Sequence, residues 1–376
     1  MYQWELTRNQ TKHHSIVRPK QFDLNINYRT HNGILQLAAS VVDLIKHFFP
    51  YSIDHDLSRE RAEIDGPKPI VDDEFDKNVL KKIEFGPSQI IIVRDEEAKL
   101  RLQKLINKRA MVMTVFDAKG MEFNVVLLYN FFTDSLALLK WRVILSIFEE
   151  NSKGVQTFSH EKHYILSSEL KHLYVAVTRA KQRLLICDEK TEYIEPILKY
   201  WKRYIKREKV DKNLLSSLAE ESDPREWDEH GKDFFEQRQY EQAIFCFEKS
   251  GNEECRKLAN AYYLRQIALD SINDSNDDDV KSNFICAAIA FKKCSRPSMS
   301  ALCYQDVSMY EHAGDVFAEY GMFESAARNY LKASKWKKAG DNFEKAEKYD
   351  DAALAYKDGR LYKIAADFIL KYRQKI

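Results

Sequence analysis

The sequence holds 376 residues, 44% of them hydrophobic and 31% charged, with a formal net charge of +1 and a mean hydropathy of −0.52. That length suits two or three domains with separate cores, and the near-neutral charge excludes a polycationic nucleic-acid coat while allowing a local basic groove. No stretch approaches the roughly 18 apolar residues of a membrane span, and the opening MYQWELTRNQTKHH has no apolar signal core, so no membrane partner and an intracellular place, nuclear or cytoplasmic, are expected.

In chain order, the first half alternates helical patterns with short β-branched runs. These are QIIIVR (89–94), MVMTVF (111–116), VVLLYNF (125–131) and RLLICD (183–188). Continuous apolar strands separated by helices predict a parallel sheet covered on both faces. RDEEAKLRLQKLI (94–106) supplies one crossover helix, with Leu100, Leu102, Leu105 and Ile106 on its expected apolar side. The stretch 206–227 reads as a helical or extended linker ending at Pro224. The expected organisation is therefore an α/β domain over 1–205, a linker over 206–225 and a helical domain over 226–376. Polar NDSNDDDVKSN (273–283) reads as a loop. The six cysteines form no C-x-x-C pair and read as reduced core thiols, with no metal site expected.

The second half contains a repeat. Units start at Tyr310, Phe323, Trp336, Tyr349 and Tyr362, each 13 residues after the last, and Ala313, Ala326, Ala339, Ala352 and Ala365 follow three residues later. Four residues further stand Phe317, Tyr330, Phe343, Tyr356 and Ile369, and an earlier copy starts at Tyr240 with Ala243 and Phe247. Positions 0, 3 and 7 share one helical face, so each unit reads as a short helix and a tight turn. Such units cannot bury their stripe alone and should stack into an α-solenoid. The pattern resembles tetratricopeptide-like (TPR-like) helical hairpins, although two units span 26 residues against about 34 in the regular repeat. An unknown protein ligand is its expected partner.

Three further stretches put charged or small polar residues where apolar strands end or helices begin. They are NINYRTHNGILQLAASVVDLI (25–45), MTVFDAKGMEFNVVLL (113–128) and ELKHLYVAVTRAKQRLLI (169–186). Together they resemble motifs IV, V and VI of the UvrD-like superfamily 1 helicases, over residues 20–190. The resemblance implies that the α/β domain is the second RecA-like domain of such a motor. With LLYNFFTDS and the attached repeats, the chain is similar to the large TPR-and-ankyrin-repeat-containing proteins that carry a UvrD-like segment.

The resemblance also implies roles. Arg29 and Arg179 would meet the γ-phosphate of ATP, because an arginine fork offers paired donors that keep their protons. Tyr28 would stack on adenine, Glu122 would meet the ribose or cap the local turn, and Gly120 would let backbone approach closely. Lys119 stays open between bracing that turn and touching a ligand. Thr114 would face the nucleic acid strand. Phe116 stands where the family has histidine, keeping a stacking surface but losing a hydrogen bond. Lys181 and Arg183 read as a solvated face, as does the basic run from Lys199 to Lys212.

No G-x-x-x-x-G-K-[ST] phosphate loop occurs, and a magnesium-binding Walker B segment is not expected in this chain. The sequence opens just upstream of motif IV, and the gap between 45 and 89 is too short for the large inserted domain of bacterial relatives. ATP with Mg²⁺ is therefore expected only with a complementary first RecA-like domain, supplied in cis or in trans, and the chain alone should bind no cofactor. Single-stranded nucleic acid, DNA first, is the expected partner. The alternative is a non-catalytic scaffold in which a relic RecA-like domain presents TPR-like repeats.

Overall fold

The apolar runs of the first half become neighbouring strands in the computed structural model, which describes residues 26–53, 59–148, 158–219, 223–272 and 277–372. Two units divide the chain, Met1–Glu220 and Glu221–Ile376. The opening segment, where a signal core was sought, lies outside the described residues.

The first unit begins with β1 (Ile26–Asn27), helix α1 (Asn32–Phe48), β2 (Arg61–Ala62) and β3 (Ile70–Asp72). Then follow β4 (Gln89–Val93), α2 (Glu96–Ile106), β5 (Met111–Thr114) and β6 (Phe123–Tyr129). Helix α3 (His160–Val177), β7 (Ala180–Cys187), α4 (Thr191–Trp201), β8 (Lys206–Arg207) and α5 (Lys212–Leu218) complete it. Six strands form one sheet in the order β5–β4–β6–β7–β3–β8, every pairing parallel. Each residue of β4 and β5 is buried, as continuous apolar runs between covering layers require.

Helix α2 starts where the Asp95 side chain accepts from the Ala98 N–H at 2.9 Å, and it ends at Asn107 with φ 46°. Leu102 and Ile106 are buried and Leu105 packs against the core, but Leu100 is 54% exposed. Two residues from Leu102, it sits about 200° around the helix, and Ala98 occupies the inward position instead. The stretch expected as a linker is structured where described: β8 pairs with β3, and Val210 and Leu215 enter the core of the first unit. Pro224 opens a helix at its first turn rather than ending a linker, a position where its missing N–H costs nothing.

The second unit is a run of ten helices among the described residues. These are α6 (Pro224–Glu236), α7 (Tyr240–Ser250), α8 (Glu253–Asp270), α9 (Asp277–Lys293) and α10 (Pro297–Asp306). The repeats follow as α11 (Tyr310–Glu319), α12 (Phe323–Lys332), α13 (Trp336–Lys345), α14 (Tyr349–Asp358) and α15 (Tyr362–Tyr372). Each helix packs on its chain neighbour, so an α/β domain followed by an α-solenoid is the architecture. The polar run expected as a loop is helical from Asp277, where Asp277, Asp278 and Asp279 fill the first turn, favoured there by the helix dipole; its residues 273–276 lie outside the described set.

Helices α11 to α15 begin at the five predicted aromatic residues, and Ala313, Ala326, Ala339 and Ala352 are fully buried. The last unit departs: Ile369 is 44% exposed and Phe368 fills the core in its place. The turns repeat as strictly as the helices. Ser308, Gly321, Ser334, Glu347 and Arg360 all take left-handed φ of 57° to 72°. One residue later an N–H reaches back to an aromatic carbonyl, as Lys335 does to Tyr330 at 2.8 Å, which closes the helix by the left-handed stop. A longer period lies beneath. A Cβ on Gly314 or Gly340 would stand 2.7 or 2.3 Å from the ring of Tyr330 or Tyr356. The hydroxyls of those tyrosines donate to Asp315 and Asp341 at 2.7 and 2.8 Å. Two alternating helix types therefore make a 26-residue hairpin, of which the 13-residue spacing is half.

Candidate functional site

Three of the predicted residues meet at the edge where β6 and β7 begin. Asn27, at the end of β1, accepts the N–H groups of Arg29 and Thr30 at 2.9 and 3.2 Å, a side-chain turn that throws Arg29 outward. Its Nη1 then donates to Glu122 at 3.1 Å and its Nη2 to the Thr178 carbonyl at 3.3 Å. Arg179 lies beside it, 9% exposed. Its Nε donates to the Val175 carbonyl (2.9 Å), its Nη1 to the Met121 carbonyl (2.9 Å) and its Nη2 to the Thr178 hydroxyl (3.1 Å).

A β-bulge builds this corner. Phe123 pairs with Ala180 but Val125 with Arg183, so β7 carries one extra residue over Lys181 and Gln182. The freed carbonyls are taken from the other side. The Thr30 hydroxyl donates to Lys181 at 2.9 Å, and His31 Nε2–H donates to Gln182 at 2.9 Å. Arg29, Thr30 and His31 thus grip three carbonyls around Arg179. His31 Nδ1 is left buried without a partner.

Two guanidinium groups stand side by side here, and Glu122 pairs with that of Arg29. Burial, and after it the charge of Arg29, lowers the Arg179 pKa while Glu122 raises it; an arginine nevertheless stays charged. The corner therefore holds two cations, with Glu122 on Arg29 and Glu60 on the neighbouring Asn27 side chain at 2.8 Å. Tyr28 projects beside it, 77% exposed. Gly120 has φ 89° with nothing near a built Cβ, so the turn's left-handed backbone is what asks for glycine there.

Thr114 and Phe116 lie elsewhere, at the opposite edge where β5 ends. Thr114 is buried, and its hydroxyl accepts the Asp117 N–H at 3.1 Å while its own N–H donates to the Asp117 carboxylate at 3.1 Å. Phe116 is 64% exposed and meets the His172 ring at 5.0 Å between centroids. Behind that pair stands Glu169, fully buried, with the Arg94 Nε 3.1 Å from Oε1 and the Ser135 hydroxyl donating at 2.6 Å to Oε2. Burial alone would raise the Glu169 carboxyl, but His172, Arg94 and Ser135 outweigh it and hold the pKa at about 2. The connection 115–122 therefore runs from Phe116 at one edge to Glu122 at the other. Both ends belong to one short segment.

Sequence reasoning singled out Arg29, Glu122 and Arg179 but missed Thr30, His31, Arg94 and Glu169. A polar pair directly after Arg29 was the available signal for the grip. Nothing local marks Arg94 as the partner of Glu169. Three cations of the basic run from Lys199 to Lys212 are ion-paired: Lys199 with Glu195 at 3.4 Å, Lys206 with Glu208 at 2.6 Å and Arg207 with Asp73 at 2.6 Å.

Comparison with known proteins falls on the same segments. Residues 88–191 match the family described as the UvrD-like helicase C-terminal domain. Over an alignment of 352 residues the chain is 32% identical to the TPR and ankyrin repeat-containing protein 1 of Homo sapiens, taking in 83% of this chain and 12% of that protein. The chain thus spans a small part of that relative's length. Among the described residues no helix is long and apolar enough to cross a membrane.

Proposed function

From a chain that joins a UvrD-like helicase C-terminal domain to a helical repeat region, we propose that the first unit is the arginine half of an ATP-driven motor on single-stranded nucleic acid. A first RecA-like domain, on a longer form of the chain or on a partner, supplies the phosphate loop and the magnesium ligands. ATP bound there presents its γ-phosphate to Arg29 and Arg179. Arg29, the more exposed of the two, exchanges Glu122 for phosphate oxygens, and Arg179 stays as the fixed charge behind it. Glu122, released, is free to accept from the ribose, and Tyr28 stands clear to stack on adenine. The strand passes the other edge of the sheet against Phe116. Since 115–122 belongs to both edges, domain closure on the phosphate is felt at the strand. The repeats dock a protein ligand.

The observation that carries this reading is the placement of two guanidinium groups at one corner, Arg29 paired to Glu122 at 3.1 Å and Arg179 fixed beside it by the Met121 and Val175 carbonyls, a cluster of preset donors. The test combines the chain with its first domain and follows ATP turnover. Arg29→Ala and Arg179→Ala should each lower kcat about 10²-fold or more, with circular dichroism unchanged. Turnover equal to wild type in both variants would contradict the assignment. One observation favours the scaffold reading instead: Arg179 spends its Nε, Nη1 and Nη2 on groups of its own unit. If so, Arg179→Ala lowers stability and leaves turnover unaffected.

A further inference from the structure

The strand-facing edge holds a second ring beside Phe116. Phe116 follows the end of β5 and is mostly exposed, and the His172 ring of α3 meets it in an edge-to-face contact, 5.0 Å between centroids at 66°. The two nitrogens of His172 face different surroundings. Nδ1 is buried without a hydrogen bond and stands 3.8 Å from the Glu169 carboxylate, one turn earlier on the same helix. An ionised carboxylate can only accept, so Nδ1 carries a hydrogen. The side chain is nevertheless 18% exposed, which leaves the edge across the ring, with Nε2, towards solvent. Nε2 has no hydrogen-bond partner among the described residues. Glu169 itself cannot shift: it is fully buried, with the Arg94 Nε at 3.1 Å and the Ser135 hydroxyl at 2.6 Å. Asp117, the carboxylate of the turn that carries Phe116, is directed instead to the Thr114 N–H at 3.1 Å and to Lys99 at 3.4 Å.

An imidazole placed in this way has a defined use. A proton added at Nε2 gives an imidazolium whose inner N–H faces a carboxylate and whose outer N–H is free to donate. A buried acid behind a histidine fixes its tautomer and its direction. Beside it, an exposed aromatic face stacks on any base, and a cationic donor next to that face matches a phosphate, the group that joins one base to the next. We propose that Phe116 and His172 form one seat for a nucleotide of a single-stranded nucleic acid. Its base stacks on Phe116, its flanking phosphate accepts from His172 Nε2–H, and Glu169 is the positioning residue behind the imidazole. The seat rests on the reading that the strand passes this edge, and it adds the phosphate contact that Phe116 cannot make.

A labelled oligothymidylate, followed by fluorescence anisotropy on the full chain at pH 6, where imidazoles ordinarily carry charge, tests this. Phe116→Ala should bind about tenfold more weakly with an unchanged salt dependence, because stacking releases no counterion. His172→Ala should also bind about tenfold more weakly. Its plot of log affinity against log salt should in addition be shallower by about 0.7, the share of one phosphate on a single strand. His172→Gln, which keeps a neutral donor, covers the case of a misfolded alanine variant and should show the same shallower slope. Weaker binding by Phe116→Ala, with both His172 variants at wild-type affinity and slope, overturns the seat and leaves the strand-facing edge standing. Weaker binding by the His172 variants at an unchanged slope overturns it too, since the imidazole then only packs against Phe116. A wild-type chain that binds no strand, or equal binding by Phe116→Ala and His172→Ala, overturns the strand-facing edge together with the seat.

Discussion

The two units solve the burial of polar atoms in opposite ways. In the α/β unit, charged groups go inside and find specific partners: Glu169 is fully buried against Arg94, and Arg179 is held by carbonyls of two different segments. In the solenoid, the inside is alanine, glycine and aromatic ring, and charges stay out, as where Lys338 meets Glu311 at 3.0 Å on the surface. The first arrangement makes a site, because a few side chains must hold fixed positions against desolvation. The second makes a scaffold, because each hairpin repeats the same contact with its neighbour.

The sharpest way to break this contrast is to remove one buried charge. Glu169→Ala leaves Arg94 buried and unanswered, and should cost the first unit about 3–5 kcal/mol, read from its urea-unfolding midpoint. The repeats should keep theirs. Acid acts on the same carboxyl. Its folded pKa of about 2 lies below the ordinary 4.5, so its contribution is present above pH 4.5 and is lost as pH falls towards 2. Roughly 3 kcal/mol should disappear over that window, and Glu169→Gln should flatten that part of the curve.

In the solenoid the strongest lesion should be steric. Gly340→Ala places a methyl 2.3 Å from the Tyr356 ring and should cost about 1–3 kcal/mol, measured on the second unit's unfolding. Gly359→Ala would press on the Trp336 side chain, where a Cβ stands 2.3 Å from Cβ, with a similar sign. The smallest effect is expected at the turns. Ser334 sits at φ 57°, so Ser334→Gly should be neutral or stabilising by up to about 1 kcal/mol, and Ser334→Val should lower the melting temperature.

What the sequence disclosed follows the same division. The helix starts at Tyr310, Phe323, Trp336, Tyr349 and Tyr362 were readable because one face repeats. The hairpin period was hidden, since it depends on Gly314 and Gly340 facing rings 16 residues away. The turns were hidden too: serine, glutamate and arginine take a conformation that glycine normally signals. In the α/β unit the strands were legible as apolar runs, and Arg29, Glu122 and Arg179 by residue type. The grip of Thr30 and His31 was not, because it depends on a bulge in β7 that frees carbonyls 151 residues away. Arg94 and Glu169 lie 75 residues apart, and no local pattern couples them.

The measurement that bears most directly on the half-motor is ATP hydrolysis by the purified chain, with and without single-stranded DNA. No turnover alone, and strand-stimulated turnover once a first RecA-like domain is added, is the expected result. Turnover by the chain alone, lost in Arg29→Ala and Arg179→Ala, would contradict it, because a phosphate site would then have to lie within these 376 residues.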